Sequence, residues 1–197
     1  MSTKISIANV ALSRLGAHTI NDTSEQTVEA NLILALWDNA RTFLLRQNPW
    51  NFAIKREQLG QLAQEPLNRY LYQYQLPSDH IRTLTVTSGE DGNVTNFDYK
   101  VEGRNILTNA EYVYLKYVYD NDVVATWEFG FQELMAARLQ MEMAYPITKA
   151  ASVQERAEVL YADTLRKTKN IDAGEDFDDP LGLNESAFVG VRFGGGM

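Results

Sequence analysis

A run of strand-like sequence that passes directly into two helical segments constrains the fold of this chain most. Phe97, Tyr99 and Val101 alternate with polar residues, which is the period-two pattern of a strand with one buried face. Residues 102–105 hold the glycine expected at a hairpin turn, and nearly every position of residues 112–119 is aromatic or aliphatic. This last stretch predicts a strand that is covered on both faces.

Two predicted helices follow these strands. Residues 129–144 carry only three charges in sixteen positions, which predicts a largely buried helix. We expect Pro146 to end this helix, because proline cannot donate the next helical hydrogen bond. A second helix is predicted to begin near Ser152 and to continue to Ile171, with basic residues in its last turn that suit the negative end of the helix dipole.

The N-terminal part of the chain predicts two further helices. Thr3 is positioned to cap the first helix, and Gly16 lies where a C-terminal cap is expected. A long second helix is predicted to reach Gln47 and to end before Pro49. Its start has two alternatives, each with the spacing of a reciprocal capping box: Asp22 with Glu25, or Thr23 with Gln26.

The intervening residues 49–125 have the pattern of an antiparallel β module. Alternation of apolar and polar residues predicts strands at residues 50–54, 70–76 and 80–87, and residues 88–93 have the composition of an exposed hairpin loop. Helices that flank a β module cover their apolar faces most economically by packing together. The predicted fold is therefore α+β and mainly α: a four-helix bundle of residues 1–48 and 126–171, with the β module inserted between helices 2 and 3.

Residues 172–197 are predicted to form an extended C-terminal arm. Residues 172–187 hold six acids and no base, which is typical of a solvated acidic segment. The arm nevertheless contains large apolar side chains that a solvated linker would not need: Leu181, Leu183, Phe188, Val189, Val191 and Phe193. These side chains indicate that the arm docks on a partner.

Composition excludes several classes of function. The chain has no cysteine, so disulfides, zinc-thiolate sites and thiol nucleophiles are excluded. The sequence has no apolar run long enough to span a bilayer and no secretory signal, so we expect an intracellular product without a membrane partner. The formal net charge is −8 and no long basic run is present, which argues against tight nucleic-acid binding.

The sequence offers few residues for catalysis, and we expect no catalytic residue, cofactor or metal. Ser78, Asp79 and His80 are the residue types of a hydrolase triad, but adjacent residues at a turn cannot converge on a substrate by themselves. Glu128, paired with Glu133 or Glu142, supplies the carboxylates of a glycan hydrolase, although these residues lie along one helix rather than across a cleft. The acidic run 172–179 lacks the calcium-loop pattern, and phosphate-loop and zinc-protease motifs are absent.

The abundance of tyrosine in the β module allows two interpretations. Single-strand binders stack bases on aromatic side chains, but they also need a basic groove, and only Lys116 is basic near the tyrosines of residues 112–119. Packing in the core and in protein interfaces explains the tyrosines better. Our candidates for contact with another protein subunit are Tyr70, Tyr72, Tyr74, Tyr112 and Tyr114.

The chain resembles the tail tubular protein A family, the head-to-tail adaptors of short-tailed phages. Individually weak packing and turn motifs carry the resemblance over nearly the whole length, at residues 7–22, 48–59, 74–84, 99–120 and 131–172. The resemblance implies a structural virion protein rather than an enzyme. It implies a ring, usually a dodecamer, that is assembled in the host cytoplasm and fitted in the virion tail between the portal protein and the tail nozzle protein. Double-stranded DNA would pass through the lumen as a non-specific passenger.

The resemblance also implies that the C-terminal arm docks on the portal. The residues expected to anchor it are Leu183, Phe188, Val189, Val191 and Phe193. Two alternative functions remain open at this point: an assembly chaperone or scaffold subunit, which would leave the portal after assembly, and the carboxylate hydrolase described above.

Overall fold

The computed structural model of the chain describes residues 3–67 and 69–175. The described part is an α+β protein with four α-helices, six strands and two short 3₁₀ turns. The helices are α1 (Lys4–Arg14), α2 (Val28–Gln47), α3 (Phe129–Thr148) and α4 (Ala151–Glu175). The strands are β1 (Ile54–Gln58), β2 (Tyr72–Gln75), β3 (His80–Ser88), β4 (Tyr99–Glu102), β5 (Asn105–Thr108) and β6 (Val113–Tyr119).

The first two helices begin where capping side chains satisfy their free N–H groups. Thr3 caps α1 as predicted, since its side chain accepts a hydrogen bond from the Ser6 backbone N–H at 3.1 Å. Gly16 follows α1 with a φ of +70°, which confirms its predicted place at the C-terminal cap. The predicted start of α2 was wrong: Thr27 caps that helix, and the side chain of Glu25 instead closes a turn before it by accepting from the Asn21 and Asp22 N–H groups.

Both C-terminal helices run further than predicted. Helix α3 passes through Pro146 to Thr148, and the chain then turns at Lys149, which has a φ of +55°. Proline in a last turn removes a single intrahelical N–H donor, and the continuing Lys149 N–H to Tyr145 carbonyl bond of 2.9 Å completes the helix end. Helix α4 likewise continues four residues past Ile171, to Glu175.

The end of α4 is held by Asp172, which the sequence assigned to the solvated arm. Asp172 is only 5% exposed. Its carboxylate accepts hydrogen bonds at 3.0 Å from the Asn48 side chain and from the Asn51 backbone N–H, just after α2. A β carbon on Gly130 of α3 would lie 3.0 Å from Thr168 Cγ2 of α4, so the two helices approach closely one turn before Asp172.

The six strands form two antiparallel sheets of three strands each. The first sheet has the order β1-β6-β3 and the second has the order β2-β5-β4. The predicted hairpin around residues 102–105 is confirmed, with Gly103 at a φ of +58° between β4 and β5. The predicted strand at residues 50–54 was wrong, because a 3₁₀ turn at Asn51–Ala53 precedes β1. The expectation of a buried face on β4 was also wrong: Tyr99 and Val101 are exposed, since β4 is an edge strand.

Strand β6 separates two apolar cores. Val113, Leu115 and Tyr117 face the second sheet and pack in a core with Tyr74 and Ile106. Val118 points to the opposite face and packs in the helical core, which confirms that β6 is covered on both sides at this end.

Aromatic side chains from both ends of the β segment meet on α3. The ring of Phe131 contacts the rings of Trp50 and Phe52, at centroid distances of 5.3 and 4.9 Å, where the chain enters the strands. Trp127, where the chain leaves them, contacts the same Phe131 ring at 5.1 Å. Helix α3 also packs against α1, α2 and α4, so it lies at the centre of the helical core.

We predict that Asp172→Ala lowers the free energy of unfolding by about 1–3 kcal/mol, because it leaves the donors of Asn48 and Asn51 without their carboxylate. Urea unfolding measures the change. The matched control is Asp163→Ala, which removes an exposed carboxylate of the same helix and should change stability by less than about 0.5 kcal/mol. Equal effects of the two substitutions would show that Asp172 is not an anchor.

Candidate functional site

Ser78, Asp79 and His80 do not form a catalytic triad. Asp79 accepts a hydrogen bond of 2.6 Å from Lys55 Nζ and one of 3.1 Å from the Tyr117 hydroxyl. The Nε2 atom of His80 lies 2.9 Å from the Thr83 hydroxyl, while the Asp79 carboxylate bonds to Lys55 and Tyr117. The turn at these residues therefore begins β3 and joins it to β1 and β6.

Burial and charge together set the electrostatics of this cluster. Burial raises the pKa of Asp79, but hydrogen bonds from Lys55 and Tyr117 outweigh it, and the pKa of Asp79 is lowered. The pKa of Tyr117 is raised, first by burial and then by the carboxylates of Asp79 and Glu57. Tyr117 therefore stays a neutral hydrogen-bond donor, and Asp79 stays ionised opposite Lys55. These are the properties of a structural cross-link between strands.

The carboxylates on α3 do not face each other across a cleft. Glu133 forms an ion pair of 2.6 Å with Arg14, and Glu142 forms one of 2.5 Å with Arg138. Glu128 has a raised pKa, caused first by burial and then by the neighbouring acids Asp172 and Glu175 at the end of α4. Within residues 3–67 and 69–175 no group of three or more His, Asp or Glu side chains is placed to hold a metal ion. No helix of that part is long and apolar enough to cross a membrane.

The five candidate interface tyrosines have different environments. Tyr70 and Tyr74 are buried within the chain, and the Tyr74 hydroxyl donates to the Ala110 carbonyl at 2.8 Å. Tyr72 and Tyr114 are half-buried, and the Tyr114 hydroxyl donates to the carbonyl of Glu90. Tyr112 is exposed. Of these five side chains, Tyr112 has the most surface free for a neighbouring molecule.

A second exposed apolar surface lies where α3 begins and α4 ends. Phe129, the first residue of α3, is 76% exposed, and Ile171 of α4 is 60% exposed. The close contact between Gly130 and Thr168 lies beside these two residues and fixes the spacing of the helices there. We call Phe129 and Ile171 the helix-end patch. Because exposed apolar side chains favour association, these two residues at the same end of the α3–α4 pair are a candidate subunit contact.

The outer face of the first sheet carries a cleft with basic side chains. The cleft has a volume of about 650 Å³. Its lining includes Arg56 of β1 and Lys116 of β6, which are directly opposite each other in the strand register, and also the acids Glu57 and Asp91. The Tyr114 ring packs against Gly92, at 3.2 Å from where a β carbon would stand, so the loop before β4 forms one wall of the cleft.

Two further cations extend this surface toward the helices. Arg82 is opposite Val118 in the register, so it shares the face of β6 that carries Lys116. Arg46, in the last turn of α2, donates to the Ile81 carbonyl at 3.0 Å, and Arg82 donates to the Arg46 carbonyl at 3.4 Å. We call the set the basic face: Arg46, Arg56, Arg82 and Lys116.

Sequence reasoning missed the basic face. Its residues come from α2, β1, β3 and β6, so no basic run marks them in the chain. In the sequence, the only sign of this surface was that Arg56 and Lys116 each alternate with residues of the opposite strand face. The pairing of β1 with β6 was needed to bring the two side chains together. The arm residues expected to dock on a portal lie outside the described residues: Leu183, Phe188, Val189, Val191 and Phe193.

We predict that the hydrogen-bonded group of Asp79, Lys55 and Tyr117, the Asp79 cluster, stabilises the fold in a pH-dependent way. A carboxylate with a lowered pKa contributes stability above its ordinary pKa of about 3.9 and loses it as pH falls through its lowered value. Asp79→Asn should therefore lower the free energy of unfolding by about 1 kcal/mol at pH 7, and by less as the pH falls below about 4. Urea unfolding at a series of pH values measures this difference.

Hydroxyl deletions provide the matched pair for that experiment. Tyr117→Phe removes a donor to Asp79 and should reduce the dependence of stability on pH. Tyr114→Phe removes a donor to a backbone carbonyl and should leave that dependence unchanged. An Asp79→Asn effect that is the same at every pH would contradict this account.

No protein-family model matches the chain, and no curated protein matches it.

Proposed function

We propose that this chain is a structural virion protein: a head-to-tail adaptor that forms a ring between a portal protein and a tail nozzle protein. DNA passes through the lumen of the ring without specific contacts. The resemblance to the tail tubular protein A family suggests this function, and the arrangement of the chain around Phe131 is the observation that supports it most.

That arrangement fits a helical unit with an inserted β module. Trp50 and Trp127 lie at the two ends of the β segment and contact the same Phe131 ring, so the segment leaves and re-enters the helical core at one place. Helix α3 packs on the other three helices. We propose that the four helices form one bundle with the β module inserted between α2 and α3. A rigid unit of this kind can repeat around a ring with the same contacts at every interface.

The exposed apolar side chains supply candidate contacts for that ring. The helix-end patch is on the helical part and Tyr112 is on the β part, so one subunit has apolar surface at two separate places. Contacts between two different surfaces of neighbouring copies are heterologous, and such contacts produce a closed ring when the rotation per subunit fits.

We predict that Phe129→Asp prevents or weakens ring formation, because it places a charge in an apolar subunit contact. Analytical ultracentrifugation of the assembled mixture measures the loss of the ring. Val28→Asp is the matched control, since Val28 is also the first residue of a helix and is 65% exposed. Ring formation that survives Phe129→Asp would exclude the helix-end patch from the subunit contact.

The decisive test of function is co-sedimentation of the full chain with a portal ring. The comparison is a chain truncated after Glu175, which keeps α4 and its Asp172 anchor while removing the rest of the arm. We expect the full chain to bind in a ring, twelve-fold by the resemblance, and the truncated chain to bind much more weakly.

Three other outcomes would change the proposal. Binding of neither form to any portal or tail component would refute the adaptor function. Equal binding of both forms would keep the adaptor function and refute the arm as its anchor. Release of the chain once the portal has assembled would instead identify an assembly chaperone.

A further inference from the structure

Two like charges on the basic face stand opposite each other, and neither is within ion-pair distance of an acid in the described part of the chain, although Glu57 and Asp91 also line the cleft. Arg56 and Lys116 are paired across β1 and β6, and neither forms an ion pair with any residue that the structure describes. Directly opposed like charges destabilise a pair of strands. The whole chain has 26 acids against 18 bases, so these cations are unpaired in a chain with an excess of anions. An anionic occupant would remove this repulsion.

The basic face carries four positive charges in two adjacent pairs, Arg56 opposite Lys116 and Arg82 bonded to the Arg46 backbone. Arg46 and Arg82 are also without an acidic partner among residues 3–67 and 69–175, although each donates to a backbone carbonyl. Arg46, Arg56 and Arg82 are exposed, and Lys116 is half-buried in the cleft. Four cations spread over β1, β6, β3 and the end of α2 fit an extended acidic segment better than a single small anion.

The described structure ends beside the α2–β1 junction, the part of the chain that carries Arg46 and Arg56. Asp172 is bonded to Asn48 and Asn51, so the end of α4 is fixed beside the α2–β1 junction. Arg46 lies two residues before Asn48 in the chain, and Arg56 lies five residues after Asn51. Five residues span at most roughly 17 Å, and the ten residues from Glu175 to Glu185 can span up to roughly 33 Å. The arm is long enough to reach every cation of the basic face.

We propose that residues 176–185 dock on the basic face of the same chain. This segment carries four acids, which match the four cations in number: Asp176, Asp178, Asp179 and Glu185. The bound segment would neutralise the opposed Arg56 and Lys116 and would hold the rest of the arm against its own subunit. Docking is therefore autoinhibitory, because a partner that takes the arm must first compete with the basic face. This inference concerns the free chain and does not depend on the proposed adaptor function.

Paramagnetic relaxation in the full chain tests the proposal directly. The natural sequence has no cysteine, so Phe177→Cys gives a single site for a nitroxide among the acids of the arm. We expect loss of amide NMR signal in β6 around Lys116 and in β3 around Arg82. The signal should return in about 1 M salt, where the screening length falls to about 3 Å.

Charge reversal on the basic face identifies the contact. Arg56→Glu combined with Lys116→Glu should abolish the loss of signal, and the neutral pair Arg56→Gln with Lys116→Gln should reduce it. The matched control is Lys149→Glu with Arg156→Glu, which reverses two unpaired cations at the opposite end of α4 and should leave the loss unchanged. The side chains of Arg56 and Lys116 make no ion pair in the described part, and retained chemical-shift dispersion would show that these variants stay folded.

Three results would overturn the proposal. The first is the absence of signal loss on the basic face, and the second is a loss that charge reversal does not change. The third comes from mixing nitroxide-labelled chain, without ¹⁵N, with ¹⁵N-labelled chain that carries no nitroxide. Full loss of signal in the ¹⁵N-labelled chain would make a second copy the occupant. If the arm does not dock and a DNA duplex binds through these four cations instead, the occupant is a nucleic-acid backbone.

Discussion

The fold depends on the aromatic contacts around Phe131. This fully buried ring receives Trp50 and Phe52 at the start of the β segment and Trp127 at its end. Edge-to-face packing of rings adds a directional preference to their large buried area, so it fixes geometry as well as stability. The indole N–H groups of Trp50 and Trp127 also donate to backbone carbonyls, of Leu44 and of Asn121 respectively. The two connections between the helices and the β segment are therefore both held at the Phe131 ring.

Strand β6 carries this constraint into the sheets. Alternate side chains of a strand point to opposite faces, so a single strand can serve two cores. Val118 packs with the helices while Leu115 and Tyr117 pack against the second sheet, and the Tyr117 hydroxyl reaches the Asp79 cluster at the edge of its core. A register shift of one residue would exchange the two faces of β6 and remove the side chains of each face from their core. The same register places Lys116 opposite Arg56, so the charge of the outer face follows from the packing of the inner face.

Local rules predicted the parts of this protein that short-range chemistry controls. The cap at Thr3, the left-handed Gly16, the Gly103 hairpin and the covered strand β6 follow from neighbouring residues and from period-two alternation. The error at Asp172 came where tertiary contacts outweighed local preference. Asp172 was assigned to a solvated segment because of its acidic neighbours, but Asn48 and Asn51 supply donors that let its carboxylate be buried and extend α4.

The sequence by itself determined the α+β class, the order of helices and strands, and the absence of cysteine chemistry, because composition and periodicity are properties of the chain alone. Only the tertiary structure decided which tyrosines are exposed, that β4 is an edge strand, and that Arg46, Arg56, Arg82 and Lys116 share one surface. These properties depend on pairing between segments far apart in the sequence. Strand order and register create such neighbours, and no local pattern records them.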